Sequence, residues 1–152
     1  MAASSGTVGQ AIKPARYISV TVAAATAVAR RALTLTSDCG GEGKAVGQKI
    51  IDFQKTQFKL AELKHEITIG RVFYNDCVAR HIAGGLDPAT ASMAKYWLSD
   101  LQGKVVDECL QLFGGYGYIN EYPIARMYRD ARVQRIYGGT NEIMKEIIAR
   151  TL

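Results

Sequence analysis

Between Ile50 and Ile82 the apolar positions step by three and four. Leu60, Leu63, Ile67, Gly70, Tyr74 and Cys77 fall on one line, the stripe that a helix of period 3.6 turns towards a neighbour. A second stripe follows in Ala94, Leu98, Leu101, Val105, Cys109 and Leu112. Between them "AGGLDPAT" carries polar and breaker residues, with Asp87 suited to cap a helix and Pro88 to its first position, where the missing N–H costs nothing. The pattern therefore predicts helices over about 50–82 and 88–113. Upstream, the alanine-rich run "YISVTVAAATAVARRALTLT" predicts a helix over 17–36, weakened by its Val and Thr content and ended by the glycines of "SDCGGEGKAVG". Downstream, "GGYGYINEYP" reads as a turn and Pro123 opens a shorter helix to about Gln134. After a second turn, "YGGT", Thr140 caps a last helix; Glu142 sits too early to complete a capping box.

No stretch alternates apolar and polar as a half-buried strand must. Helices joined by short turns predict an all-α fold: an antiparallel up-and-down four-helix bundle with a short extra C-terminal helix. The bundle is expected over 17–152, after a small, polar segment at 1–16 expected to be disordered.

The chain has 152 residues, 48% hydrophobic, enough for one domain around one core. No apolar run reaches the roughly 18 residues of a membrane span; Thr21, Thr26, Arg30 and Arg31 interrupt the nearest. A secretory leader is not expected either, so we expect a soluble protein of the cytoplasm, or of the mitochondrial matrix if the source is eukaryotic. Cys39, Cys77 and Cys109 are few and scattered, and with His65 and His81 make no metal-ligand spacing, so no metal is expected. The net charge of +5 is partly carried by Arg126, Arg129, Arg132 and Arg135, a basic stripe at helical spacing. A stripe of this kind is usually a solvated face or is paired with carboxylates such as Glu121 and Asp130, and no nucleic-acid motif accompanies it. "GGEGKAV" fails as a phosphate loop because Asp38 stands for the first glycine and Ala45 for the metal-binding hydroxyl. "GGYGYIN" lacks the third glycine of a dinucleotide fingerprint, and no nucleophile motif is present.

The last third carries a more specific pattern. "CLQLFGGYGYINEYPIARMYRDARVQRIYGGTNEIMKEIIAR" combines Q-x-x-G-G-x-G-Y, E-Y-P, R-D-A and G-T-x-E-I at fixed spacings, and "IDFQKTQFKLAEL" precedes it on the long helix. Residues 44–150 thereby resemble the C-terminal helical domain of the acyl-CoA dehydrogenase family, closest to the long-chain-like branch. The resemblance implies a flavin oxidoreductase domain that takes part in α,β-dehydrogenation of an acyl-CoA thioester, with FAD as cofactor. It also implies homo-oligomers, dimers or tetramers, with FAD sites shared between subunits, and electron-transfer flavoprotein as the oxidant.

Residue by residue, the resemblance implies that Gln111, Gly114 and Gly115 reach the FAD pyrophosphate of a neighbouring subunit. It places Thr140 and Glu142 on the flavin's phosphate side, and Ile50, Phe53 and Gln54 at the adenine end. Tyr137 and Gly138 stand beside the acyl thioester. Two departures follow. The family's R-x-x-F-G is met here by Gly43, Val46 and Gly47, with Lys44 as a lone charge. The family's base, a glutamate, is met at its two locations by Gly138 and by Tyr17. No catalytic residue is therefore assigned, and the domain is expected to be incomplete or inactive alone. The second reading is a non-catalytic oligomerisation or assembly module.

Overall fold

The computed structural model describes residues 21–152 apart from 43 and 46, with the side chains of 40–46 also outside the description. Five α-helices follow one another: α1 (Ala23–Glu42), α2 (Gln54–Ile82), α3 (Pro88–Phe113), α4 (Pro123–Val133) and α5 (Asn141–Ala149). None is long and apolar enough to cross a membrane.

α3 is the axis of the bundle and touches every other helix. The expected stripe is its inward face: Ala94, Leu98, Leu101, Val105 and Cys109 are buried, with Leu112 half-buried at the edge. A second face of the same helix is buried too, and it is largely polar: Ser92, Lys95, Ser99 and Gln102. That face lies against the last two helices, which the apolar stripe alone does not announce.

α1 lays small side chains on α3. Ala25, Ala29 and Ala32 are buried, and Thr26 and Thr36 tolerate burial because their hydroxyls donate back to the carbonyls of Val22 and Ala32, at 3.2 and 2.8 Å. The helix runs past Thr36 through Gly40 and Gly41 to Glu42. An existing helix adds one hydrogen bond per residue, so two glycines at about 1 kcal/mol each weaken its last turn without ending it. The expected break is displaced to a tight turn in which Lys44–Ala45 pair antiparallel with Gln48–Lys49 and Gly47 takes a left-handed φ of 78°.

α2 also begins later than its pattern suggests. Ile50–Asp52 form a 3-10 turn, and the extended Phe53 offers its carbonyl to the N–H groups of Thr56 and Gln57 at 2.9 and 3.0 Å. From there Leu63, Ile67, Gly70 and Cys77 are buried as the stripe requires, with Leu60 and Tyr74 half-buried beside them. Two cross-helix ion pairs show the antiparallel register with α3: Lys59 to Glu108 at 3.0 Å and Glu66 to Lys104 at 2.6 Å. Between the helices Gly70 marks a close approach, since a Cβ there would stand 2.8 Å from Leu98 Cδ2 and 3.1 Å from Leu101 Cδ2.

Both expected caps are in place. Asp87 accepts from the N–H and hydroxyl of Thr90 at 2.8 and 2.6 Å, which holds its carboxyl below the usual aspartate range. Thr140 accepts from the Ile143 N–H at 3.4 Å.

Candidate functional site

The ten residues implicated by the sequence divide into two groups. The first lies where α2 begins and α3 ends. The antiparallel pairing of Lys59 with Glu108 brings Ile50, Phe53 and Gln54 to the end of the bundle that also carries Gln111, Gly114 and Gly115. Gln54 and Gln111 are exposed, while Ile50 and Phe53 are half-buried.

The glycines of this turn have distinct jobs. Gly114 has a φ of 58°, and a Cβ on Gly114 or Gly115 would meet nothing within 4 Å. The space beside both is therefore open and the absence of side chains lets a ligand come close, although the Gly114 N–H already donates to the Gln111 carbonyl. Gly117 is a packing glycine: a Cβ there would lie 2.7 Å from the Leu110 carbonyl oxygen. The turn is backed by aromatic contacts, with Tyr122 5.3 Å from Tyr116 and 6.3 Å from Phe113 between ring centroids. Room without side chains and the exposed Gln111 amide beside it are compatible with an anionic group such as a pyrophosphate, the part of FAD that the resemblance assigns here.

The second group is the turn between α4 and α5. Gly138 and Gly139 both adopt left-handed conformations, with φ of 68° and 100°. The Tyr137 hydroxyl donates to Gln134 Oε1 at 2.6 Å. Glu142, in the first turn of α5, is exposed; backbone N–H groups there, the Thr140 hydroxyl and Lys145 hold its carboxyl below the usual range. Glu142 is thus an ionised carboxylate on the positive end of the helix, where an incoming phosphate would meet like charge.

What holds this turn is a buried polar cluster that sequence reading did not find. Lys95 is fully buried and its Nζ donates to the Gly139 carbonyl and to Asn141 Oδ1, both at 2.7 Å. Burial lowers its proton affinity, while the charges of Asp100 and Glu142 partly restore it. Asn141 Nδ2 donates to Ser99 Oγ at 3.0 Å and to Asp100 Oδ1 at 3.1 Å. Asp100 in turn lies 2.9 Å from Arg135 Nε. The angle there makes it an ion pair without a hydrogen bond, since Nε has no hydrogen-bond acceptor. Arg135 Nη2 donates to the Asp100 carbonyl at 3.3 Å. The available signal was register: Lys95 follows Ala94 directly and lies one turn from Ala91 and Leu98, at the edge of the buried stripe.

The two groups are not neighbours. Lys95 beneath the second turn and Gln111 at the first are 111 − 95 = 16 residues apart on one helix, about 24 Å at 1.5 Å per residue. The two groups therefore lie towards opposite ends of α3. At the location that the resemblance gives to a base, Gly138 offers no side chain. Tyr17, the other such location, lies outside the described residues, as do Gly43, Val46 and the 1–16 segment.

The basic stripe is divided among local partners. Arg126 donates to the Asn120 carbonyl at 3.3 Å, Arg129 pairs with Asp130 at 3.5 Å, and Arg135 is the anchor just described. Arg129, Arg132 and Arg135 also line an open groove of about 770 Å³ between α3 and α4, together with Lys104, Asp107 and Tyr128.

Comparison with known proteins gives this geometry a family. A profile described as "Acyl-CoA dehydrogenase, C-terminal domain" matches residues 11–152. Rat long-chain specific acyl-CoA dehydrogenase, mitochondrial, is 57% identical over 109 residues, covering 72% of this chain and 25% of the relative. A 3-(aryl)acrylate reductase of Clostridium sporogenes is 35% identical over 130 residues, covering 86% of this chain and 34% of the reductase. The crystal structure of an acyl-CoA dehydrogenase from Geobacillus kaustophilus superposes with a TM-score of 0.87 at 42% identity, over 91% of this chain and 36% of that one. The chain thus spans between a quarter and about a third of the length of these relatives. It belongs to the acyl-CoA dehydrogenase family and corresponds to that family's C-terminal helical domain.

Proposed function

We propose that this chain forms the helical wall of an FAD-dependent acyl-CoA dehydrogenase-type site that is completed by other polypeptide. The observation that carries this reading is the separation of two ligand-suited turns along α3. One chain cannot bring both to the same end of a flavin, so each serves a different cofactor or a different end of it, as in an oligomer with shared sites.

In that arrangement the Gln111 amide holds an anionic pyrophosphate that the side-chain-free Gly114 and Gly115 let approach, with Ile50, Phe53 and Gln54 against the adenine end. Thr140 and the backbone at Glu142 face the phosphate side near the flavin, where the Glu142 carboxylate is a local opponent rather than a ligand. Tyr137 and Gly138 border the acyl-CoA thioester; the left-handed glycine leaves room there but supplies no proton acceptor. Bound FAD would supply the hydride acceptor, and an electron-transfer flavoprotein the oxidant that renews it. The α proton has to leave through a base from elsewhere. A positioned base typically contributes about 10²–10⁴-fold, so the isolated chain should show no acyl-CoA turnover. The site of action is the cytoplasm for a bacterial source or the mitochondrion for a eukaryotic one, as in the mitochondrial relatives.

A second reading, a non-catalytic assembly module, draws on the apolar surface: Val72, Ile82 and Tyr118 are 66%, 81% and 89% exposed. Titration of FAD with the purified chain, followed by flavin fluorescence, separates the two. Saturable quenching that Gln111→Ala weakens supports the flavin wall. An oligomer that leaves FAD fluorescence unchanged refutes it in favour of the assembly module. Enoyl-CoA formation with an artificial electron acceptor would show that the chain carries its own base.

A further inference from the structure

Burying a lysine ammonium is expensive, and a methionine of similar volume fills the same space without that cost. Lys95 is nonetheless at 0% exposure, and the acceptors in hydrogen-bond contact with it are neutral: the Gly139 carbonyl and the Asn141 side-chain carbonyl. The first is the second left-handed glycine of the α4–α5 turn; the second is the first residue of α5. Asn141 is itself spanned by α3, through Ser99 Oγ and Asp100 Oδ1, and its N–H closes the turn by donating to the Arg135 carbonyl at 3.1 Å. The contacts made by Lys95 therefore converge on the stretch that carries Gly138, Thr140 and Glu142.

Two consecutive left-handed residues are a costly local conformation, even for glycine, because its freedom in the unfolded chain is large. Nothing within residues 138 and 139 prefers that pair over many others. A rigid donor reaching from a neighbouring helix can select one arrangement by requiring the Gly139 carbonyl to point at it. An apolar side chain at the same place has no means of doing so.

We propose that Lys95 is a positioning residue: from α3 it pins the Gly138–Asn141 backbone in the one conformation that faces the ligand. The proposal rests on the reading of that turn as a flavin and thioester contact, but its structural half stands independently of it. Removing the ammonium should leave the bundle intact while loosening the turn.

Hydrogen exchange read by mass spectrometry on the wild-type chain and on Lys95→Met tests the structural half, and FAD titration of the same proteins tests the functional half. Lys95→Met should raise exchange of the amides in 137–143 by about tenfold or more, with 98–109 unchanged, and should weaken FAD binding by a similar factor. Gln111→Ala should weaken FAD binding without altering exchange in 137–143. Unchanged exchange at the turn, or an equal rise along the whole of α3, overturns the proposal, because Lys95 would then be mere filling. If the wild type does not bind FAD, the flavin reading fails, while the exchange comparison still decides whether Lys95 fixes the turn.

Discussion

At the scale of single residues, two ionisable groups have opposite consequences for stability. Asp87 caps α3 and its carboxyl is held below the ordinary aspartate range by Thr90. Its folded form prefers the charge, so the contribution is complete above the unfolded pKa of 3.8 and disappears as pH falls through the folded value. Asp87→Ala should cost about 1 kcal/mol at neutral pH, and denaturant melts in acid should show the two proteins converging. Lys95 is the reverse case: burial lowers its proton affinity in the fold below the ordinary lysine value of 10.5. In the interval up to that value the unfolded chain binds more protons, so stability from this group rises with pH. Melts of the wild type relative to Lys95→Met should show that rise in alkaline buffer; a flat difference would mean the ammonium is not desolvated. The cap was legible in "LDPAT" because capping is local chemistry. The burial of Lys95 was not, because its partners lie 44 and 46 residues away.

At the scale of elements, α3 explains why the apolar pattern was enough for the architecture and insufficient for the site. One stripe, Ala94 to Cys109, reported one buried face, and it was correct. The other face is buried against the α4–α5 turn through Lys95 and Ser99, whose polarity reads as solvent in a periodicity count. Leu98, 1% exposed, sits where α2 and α3 meet, and Leu98→Ala should cost about 2–5 kcal/mol in a reversible melt, towards the low end if Trp97 relaxes into the space. Gly103 offers a subtler test. A Cβ there would stand 2.3 Å from Arg135 Nη2, which is held by Asp100. Gly103→Ala gains about 1 kcal/mol of helix propensity but displaces the guanidinium. Its bundle should melt no lower than the wild type while exchange in 137–143 rises; unchanged exchange would show that Arg135 does not help to hold the turn. The overrun of α1 past Thr36 and the late start of α2 at Gln54 are boundary effects, in which continuing hydrogen bonds outweigh two glycines and an extended Phe53 ends the reach of a periodic pattern.

At the scale of the whole molecule, the family was legible in the motifs of the last third because fixed spacings of glycine, tyrosine and proline recur with one turn geometry. Their placement in space was not legible. Only α3, on which Lys95 and Gln111 mark the two turns, shows them to lie about 24 Å apart along its axis. In the reading proposed above, one turn faces the pyrophosphate and the other the flavin and thioester, presented by one chain to different sites. Size-exclusion chromatography with light scattering and absorbance, run on the chain after incubation with FAD, tests it most directly. The yellow flavin band should co-elute with species of two or more chains and be lost in Gln111→Ala. Flavin carried by a monomer, or by no species at all, would contradict it.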